Sequence, residues 1–174
     1  MKQRQDRLKW HKIETPLGAM MAVADEEALF FLEFEDQKGI DNAFGHLSQE
    51  VGATISPGMT SVHHTLKKEL DSYFKGMLKE FKTPLHIMGS PFQRGVWEEL
   101  QRIPFGETRS YAELAKAIGR PTAFRAVAQA NGANRLALIV PCHRVVYSNG
   151  SLGGYAGGVN KKKWLLSHEK ASFR

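Results

Sequence analysis

The segment from Lys82 to Gly89 divides the chain into two halves whose hydrophobic patterns differ. Before this segment, short strand-like stretches are followed by two helical ones, whereas after it Pro and Gly residues separate a series of short helices. A chain of 174 residues can bury either one sizeable core or two small ones. The change of pattern predicts two domains, residues 1–89 and residues 90–174.

The first half predicts a small antiparallel sheet covered by helices. Its predicted strands are Trp10–Glu14, Ala19–Ala24 and Ala28–Phe34. Its predicted helices are Ile40–Glu50 and Ser61–Phe74, the second of which is apolar along one face. The expected fold class is therefore α+β, in which this sheet-and-helix domain precedes an all-helical, winged-helix-like domain with a helix-turn-helix.

Capping residues mark the helices of the second half. Ser90, which precedes a proline, can begin the first helix. Ser110 and Glu113 form a capping box for a second helix that ends at Gly119, and a third helix is predicted at Pro121–Asn131. The spacing of the last two helices resembles a helix-turn-helix, although short helical hairpins also occur in proteins that do not bind DNA.

The net charge of +6 is concentrated in the second half. Residues 1–89 carry 11 Lys and Arg against 13 Asp and Glu, while residues 90–174 carry 13 against 5. Such an excess predicts a polyanionic partner, because neutralised phosphates release their counterions. Solvated surface charge is the alternative interpretation.

The apolar stretches are too short to cross a bilayer, the run Leu136–Val140 being one of the longest. Residues 1–10 are polar and charged, unlike a secretory signal. With 42% hydrophobic and 24% charged residues, the composition is that of an ordinary globular protein. A cytoplasmic protein is expected.

Cys142 is the only cysteine in the sequence. A single thiol excludes an internal disulfide and a cysteine-based metal cluster, and we expect His63 and His64 to be surface residues rather than metal ligands. Cys142 is then either a small buried hydrophobe or a nucleophile. A nucleophilic thiol needs a partner, because only the thiolate attacks.

The residues near Cys142 could supply that partner. Cys142 follows the run Leu136–Val140, which is predicted to be a strand, and it precedes His143 and Arg144. Adjacent side chains rarely face each other, so a link from the imidazole to the thiol requires a water or a tight turn. Glu169 could orient the imidazole in a thiol–imidazole–carboxylate relay. A buried structural histidine and a solvent-facing glutamate are equally compatible with the spacing.

Several strings of the second half resemble the O6-alkylguanine-DNA alkyltransferases, close to the bacterial type. They are Pro141-Cys142-His143-Arg144-Val145-Val146, Gly150-x-Leu152-x-Gly154-Tyr155-Ala156-Gly157-Gly158, Lys163-Trp164-Leu165-Leu166-x-x-Glu169, Gly106-Glu107-Thr108-x-Ser110-Tyr111 and Arg125-Ala126-Val127-x-x-Ala130-Asn131-x-x-Asn134. The resemblance is dense over residues 90–170 and weak over residues 1–89, where Thr15-Pro16-Leu17-Gly18 carries it. It implies direct-reversal DNA repair, in which an O6-alkylguanine or O4-alkylthymine is flipped out of duplex DNA and its alkyl group is transferred irreversibly.

The resemblance assigns five residues to catalysis. Cys142 accepts the alkyl group, His143 takes the thiol proton through a water, and Glu169 holds the imidazole in the useful tautomer. Tyr111 is the donor that offsets charge on the departing guanine, and Asn134 pins the turn before the active-site strand. No cofactor is implied, since the zinc of some relatives needs thiol ligands beyond Cys142.

The resemblance also assigns contacts to DNA and to the flipped base. Arg125 matches the arginine finger that fills the vacated base position, and Ala126 allows its helix to approach the minor groove. Without the resemblance, an Ala-rich core helix with one exposed arginine would be the simpler interpretation. The remaining DNA contacts are assigned to Tyr111, Arg135 and Arg144, and the base contacts to Val145, Tyr155, Ala156 and Gly157.

The implied partner is alkylated duplex DNA bound through its minor groove by a nucleoid-associated monomer, with cooperativity along the DNA left open. Two positions depart from the family. Ala156 replaces a serine that some relatives have, so that backbone amides would have to contact guanine O6. Arg135 replaces a common proline after Asn134, which removes a rigid turn and offers a phosphate contact.

Two other functions stay open. A cysteine hydrolase uses the same three groups but turns over repeatedly. A binding module recognises alkylated DNA without transfer, and relatives of that kind lack the cysteine that this chain has.

Overall fold

The computed structural model describes residues 7–171, which form two compact units. Unit 1 extends to His86, and unit 2 begins at Ile87. The polar segment 1–10 lies partly outside the described residues, which begin at Arg7. Among these residues, we find no helix with the length and apolar character needed to cross a membrane.

Over residues 7–86, unit 1 is a four-stranded sheet with two helices. Its elements are β1 (Leu8–Ile13), β2 (Met20–Ala24), β3 (Leu29–Phe34), α1 (Ile40–Val51), β4 (Ile55–Pro57) and α2 (Ser61–Phe74). The strand order is β3-β2-β1-β4, and β1, β2 and β3 pair antiparallel. β4 joins β1 in parallel after the chain returns through α1. The sheet is therefore mixed, whereas the sequence predicted an antiparallel one, because a three-residue strand leaves no hydrophobic alternation to detect.

The core of unit 1 lies between the sheet and α2. All six residues of β3 are buried, and α2 packs against β2. From α2, the side chains of Leu66, Leu70 and Tyr73 are almost completely buried. The apolar face predicted for this helix is therefore the face that covers the sheet.

His63, at the start of α2, is completely buried, which corrects its predicted place at the surface. Its Nδ1 accepts a hydrogen bond from the Thr60 backbone N–H at 3.0 Å, and its Nε2 lies 3.0 Å from the Ala22 carbonyl oxygen. Since Nδ1 is an acceptor and a carbonyl can only accept, the ring is neutral with its proton on Nε2. Burial lowers the pKa of His63 despite the opposing effect of the bond to Ala22. Here histidine completes a capping box that normally uses Glu or Gln.

We expect acidification to destabilise unit 1 through His63. The folded state lowers the pKa of this ring, so its contribution is complete above the unfolded value of about 6.5 and declines as the pH falls below that value. The slope reaches at most about 1.4 kcal/mol per pH unit for one group. Urea unfolding of the whole chain between pH 7.5 and pH 5 measures this slope.

His63→Gln is the matched variant, because glutamine can serve the same capping box without titrating. Its stability should depend less steeply on pH than that of the unmodified chain over the same interval. Equal slopes for the two proteins would show that His63 does not carry the effect.

In residues 87–171, unit 2 consists of short helices, the loops between them and one pair of very short strands. Its elements are α3 (Pro91–Gln101), β5 (Arg109–Ser110), α4 (Tyr111–Ala117), α5 (Phe124–Gly132), a 3₁₀ helix (Cys142–Arg144), β6 (Val145–Val146) and α6 (Val159–His168). β5 and β6 pair in parallel, so the predicted all-helical domain contains this small addition. The pair brings the start of α4 beside the residues that follow Cys142.

The predicted helix starts of unit 2 are mostly confirmed. Ser90 and Ser110 each accept a hydrogen bond from a backbone N–H within the first turn and form complete capping boxes. α5 begins at Phe124, three residues later than predicted, because residues 120–123 form a turn that the Ala123 N–H closes on the Arg120 carbonyl oxygen. α4 and α5 pack together as the predicted helical pair.

The predicted strand Leu136–Val140 is wrong. The segment consists of turns, in which the Val140 N–H bonds to the Leu136 carbonyl oxygen at 2.9 Å and Leu138 has a φ of 72°. The Asn134 amide stabilises this shape, because it donates to the Val140 carbonyl oxygen at 2.8 Å and accepts from the Leu136 N–H at 3.0 Å. A short apolar run is buried here without a sheet, which periodicity alone cannot distinguish from a buried strand.

Candidate active site

Cys142 lies at the first position of the 3₁₀ helix, which packs against α3 and α6, and it is only 6% exposed. Side-chain amides hold the backbone near the thiol. Asn131 of α5 donates to the Cys142 carbonyl oxygen at 3.4 Å, and Asn134 holds Val140, whose carbonyl also accepts the Cys142 N–H. The thiol is therefore presented by a short backbone segment that is tied on both sides.

His143 and Glu169 form a completely buried hydrogen bond of 2.9 Å between Nε2 and Oε2. A carboxylate can only accept, so the imidazole proton is on Nε2 and the lone pair is on Nδ1. Within residues 7–171, no protein group donates a hydrogen bond to Nδ1. Burial lowers the pKa of His143, and the charges of Arg144 and Lys162 add to this effect, so that together they outweigh the opposing effect of Glu169. The side chain next to the thiol in sequence is thus a neutral imidazole with an available basic nitrogen.

Arg144 is buried and bonded inside unit 2, which corrects the prediction that it contacts DNA. Its guanidinium donates to both oxygens of Glu169, at 2.8 and 3.0 Å, and to the Ile103 carbonyl oxygen at 2.7 Å. Burial alone would raise the pKa of Glu169, but the hydrogen bond from His143 and the ion pair with Arg144 outweigh it and hold that pKa far below its usual range. Glu169 is therefore ionised and fixed from two sides.

Lys162 of α6 belongs to the same buried cluster as Cys142, His143 and Glu169. The sequence pattern did not identify it as a site residue. Its ammonium is completely buried and donates to the carbonyl oxygens of Val145, at 2.6 Å, and Gly154, at 3.1 Å. Burial lowers its pKa to about 8, against an opposing electrostatic effect of Cys142. As the middle residue of three consecutive lysines, it has the sequence signature of a solvated helix face.

Tyr111 occupies the first position of α4, where its ring centroid lies 5.4 Å from that of Tyr147. Burial raises the pKa of its phenol, and the electrostatic effects of Tyr147 and Cys142 add to this. The hydroxyl therefore keeps its proton at neutral pH and can donate it in a hydrogen bond. Gly153 approaches closely, because an added Cβ there would lie 3.1 Å from the Tyr111 hydroxyl.

The remaining predicted residues fall into two groups. Val145 is buried in β6, while Tyr155 and Gly157 are partly buried and Ala156 is exposed in the loop that leads to α6. The residues that present exposed side chains are Arg125, Ala126 and Arg135. Cys142, the residues that follow it and the loop that leads to α6 therefore lie close together. The predicted DNA contacts other than Arg144 and Tyr111 are exposed at the surface of unit 2.

The cluster combines a thiol with a neutral base, a proton-retaining phenol and a buried ammonium. These groups suit a reaction in which sulfur loses a proton and a leaving group receives a hydrogen bond. Across the described part of the chain, no three His, Cys, Asp or Glu side chains gather closely enough to hold a metal ion.

Comparison with known proteins matches both units to one family. Residues 8–87 match the model of the 6-O-methylguanine DNA methyltransferase, ribonuclease-like domain, and residues 91–171 match that of the 6-O-methylguanine DNA methyltransferase, DNA binding domain. Two similar proteins, both named methylated-DNA–protein-cysteine methyltransferase, come from Salmonella typhimurium and Bacillus subtilis, the latter described as constitutive. The first is 42% identical over 94% of this chain and 96% of that protein, and the second 40% identical over 92% and 94%.

A solved structure agrees with these matches. The Mycobacterium tuberculosis protein OGT, determined in complex with DNA, superposes with a TM-score of 0.80 at 40% identity, and the match covers 93% of this chain and 92% of that one. Both units and nearly the full lengths of the relatives are therefore included. The chain belongs to the 6-O-methylguanine DNA methyltransferase family.

Proposed function

We propose that the chain repairs DNA by removing the alkyl group from O6-alkylguanine, and from O4-alkylthymine, and keeping it on Cys142. The observation that carries this proposal is the buried pair of His143 and Glu169, which leaves a basic imidazole nitrogen on the residue that follows the only cysteine in the sequence. The family, the methyltransferase relatives and the DNA complex of OGT support the same activity. Each protein molecule then acts once.

The first step is removal of the thiol proton. Nδ1 of His143 accepts it through a bridging solvent molecule, and the resulting imidazolium is stabilised by the ionised Glu169. Lys162 favours the thiolate, because its ammonium interacts electrostatically with Cys142. Arg144 acts through Glu169 as a positioning residue, which replaces the DNA-contacting role predicted from the sequence.

The second step is an in-line displacement at the carbon attached to guanine O6. The thiolate forms a sulfur–carbon bond as the carbon–oxygen bond breaks, and the electron pair stays with the guanine. Tyr111 offsets the resulting negative charge on the ring, since its phenol keeps its proton as a donor. The thioether at Cys142 is stable, so the reaction stops after one transfer.

The base must leave the duplex, because a buried thiol cannot reach an atom within stacked base pairs. Arg125 fills the vacated position from α5, with Ala126 allowing close approach to the minor groove and Arg135 available for a phosphate. Val145, Tyr155, Ala156 and Gly157 contact the flipped base. Unit 1 is the scaffold, unit 2 carries both DNA binding and alkyl transfer, and the protein acts in the cytoplasm as a nucleoid-associated monomer.

The decisive experiment is mass spectrometry of the intact protein after exposure to a duplex that contains O6-methylguanine. One methyl group per protein molecule is expected, located at Cys142 by peptide mapping. Cys142→Ser should acquire none. Repeated turnover without protein modification would indicate a hydrolase, and duplex binding without transfer would indicate a recognition module; either result would refute the proposal.

A prediction concerns the close contact between Gly153 and Tyr111. Gly153→Ala should destabilise the protein by about 1–2 kcal/mol, because the residue has a φ of 71° that L side chains disfavour. It should also slow alkyl transfer, since the new methyl group would displace the Tyr111 hydroxyl or the Tyr147 ring. Single-turnover kinetics with O6-methylguanine duplex measures the rate.

Gly154→Ala is the matched control. Its added Cβ would meet no atom within 4 Å, and Gly154 does not have a positive φ. This variant should keep nearly the original rate and stability. Equal losses in the two variants would indicate that loop flexibility, rather than the position of Tyr111, is responsible.

A further inference from the structure

The exposed face of α5 carries one large apolar side chain among small and polar ones. Val127, Ala130 and Asn131 are buried toward the core of unit 2. The exposed positions of the helix are Phe124, Arg125, Ala126, Ala128, Gln129 and Gly132. Phe124, at the first position, is 49% exposed. The first turn therefore presents an exposed phenyl ring next to Arg125 in the sequence, on a helix whose other exposed positions include the small residues Ala126, Ala128 and Gly132.

Two arginines lie near this ring in the sequence. Arg125 follows it, and Arg120, whose guanidinium lies over the Phe92 ring, is exposed in the preceding turn. In the described part of the chain, α5 begins without a side-chain cap, so that the amide N–H groups of its first turn add a partial positive charge. An apolar ring among positive groups matches a surface on which bases alternate with phosphates. A hydrophobic contact with another protein would not need this charge.

We propose that Phe124 is an apolar wedge that enters the minor groove beside Arg125 and separates the base pairs next to the lesion. The inference rests on the proposed function for its partner, alkylated duplex DNA. Minor-groove proteins insert Phe, Leu, Ile or Met side chains between base steps, which unstacks and bends the duplex. Ala128, four residues after Phe124 and so on the same side of the helix, is small enough to let the helix approach until the ring reaches the bases.

The wedge gives the protein a preference for sequence context. Separating a base step is easiest where stacking is weak, as at pyrimidine–purine steps. Lesions flanked by such a step should therefore be bound and repaired faster than lesions within a stiff tract. This preference should depend on Phe124, whereas filling of the vacated base position should depend on Arg125.

The test uses 2-aminopurine, whose fluorescence rises on unstacking, placed beside O6-methylguanine in a duplex. The full chain with Cys142→Ser binds this duplex without consuming it. We expect binding to raise the fluorescence. Adding Phe124→Ala should weaken binding by about tenfold, within the range for loss of one aromatic–base contact, and should remove most of the fluorescence rise. Phe124→Leu should retain part of both effects.

Met77→Ala is the matched control, because Met77 is an exposed hydrophobic side chain of unit 1. It should change neither measurement. Reaction of Cys142 with free O6-benzylguanine should be unaffected by Phe124→Ala, since the free base needs no opening of a duplex. A reduced reaction with the free base would assign Phe124 a structural role and overturn the wedge.

The outcomes separate the wedge from the transfer activity. Unchanged duplex binding and fluorescence in Phe124→Ala, together with normal methyl transfer by the unmodified protein, overturn the wedge alone. A fluorescence rise that depends on Phe124, without methyl transfer by the unmodified protein, overturns the transfer activity alone. Failure of the Cys142→Ser chain to bind any duplex overturns the wedge and would favour a protein partner for this face.

Discussion

Glu169→Gln is expected to slow alkyl transfer by about 10²- to 10⁴-fold, the contribution of a general base in many enzymes. Glutamine can still accept the hydrogen bond from His143, but it cannot stabilise the imidazolium that forms when the thiol proton is taken. The same change leaves the buried guanidinium of Arg144 without its counter-charge, which should cost about 3–5 kcal/mol of stability. Single-turnover kinetics and urea unfolding measure the two effects.

Two further variants separate chemistry from stability. Glu98→Gln makes the same charge change at an exposed position of α3 and should leave both measurements nearly unaltered. Arg144→Met removes the ion pair but keeps the hydrogen bond between His143 and Glu169, so it should lose stability and retain more of the rate than Glu169→Gln. Circular dichroism at low temperature checks that each variant is folded. A normal rate in folded Glu169→Gln would remove Glu169 from the proposed relay.

Arg125→Ala is expected to slow transfer from duplex DNA by about 100-fold while the reaction with free O6-benzylguanine stays within about twofold. The large effect follows from base flipping, which costs a few kcal/mol that a side chain in the vacated position can offset. The free base needs no such help. The two rates, measured as the loss of reactive Cys142 by mass spectrometry, give the ratio directly.

The control for Arg125→Ala is Arg102→Ala, which removes the same charge from a side chain that is 74% exposed at the end of α3. If Arg125 acted only through general electrostatic attraction to DNA, both variants would slow transfer from duplex DNA to a similar extent, and both rates would depend strongly on salt. A specific finger predicts that only Arg125→Ala distinguishes the two substrates. Equal slowing on duplex and free base would contradict the finger and would place Arg125 in a structural role.

Local signals predicted much of the fold, because they depend on nearby residues. The helix start at Ser90, the capping box at Ser110 and the apolar face of α2 are present where the pattern placed them. The errors fall where a side-chain hydrogen bond to the backbone or pairing with another strand decides the conformation. Asn134 closes the run Leu136–Val140 into turns, and pairing with β1 makes residues 55–57 a strand. Neither effect leaves a periodic pattern in the sequence.

The site was predictable to a different degree. Cys142 and His143 are adjacent and could be recognised as a possible pair. Glu169 is distant in the sequence, so its spacing was equally compatible with a solvent-facing residue, and the family resemblance assigned it to the relay. For Lys162 and Arg144, neither the sequence pattern nor the family resemblance distinguishes a buried cation from an exposed one. A lysine within a basic run and an arginine in a basic domain normally indicate solvent or phosphate contact. Only the packing shows that both are enclosed by carbonyl or carboxylate oxygens.

The enclosure of His143, Glu169 and Arg144 has a consequence for engineering and for natural variation. In many enzymes the reactive groups destabilise the fold, so that replacing them gives proteins that are more stable but inactive. In this chain the polar centre also holds α6 to the segment around Cys142, and removing a partner leaves a charge buried. Substitutions in this centre should therefore lower the stability of the fold and the rate of alkyl transfer together. Substitutions that raise the melting temperature should be sought at exposed positions far from the thiol.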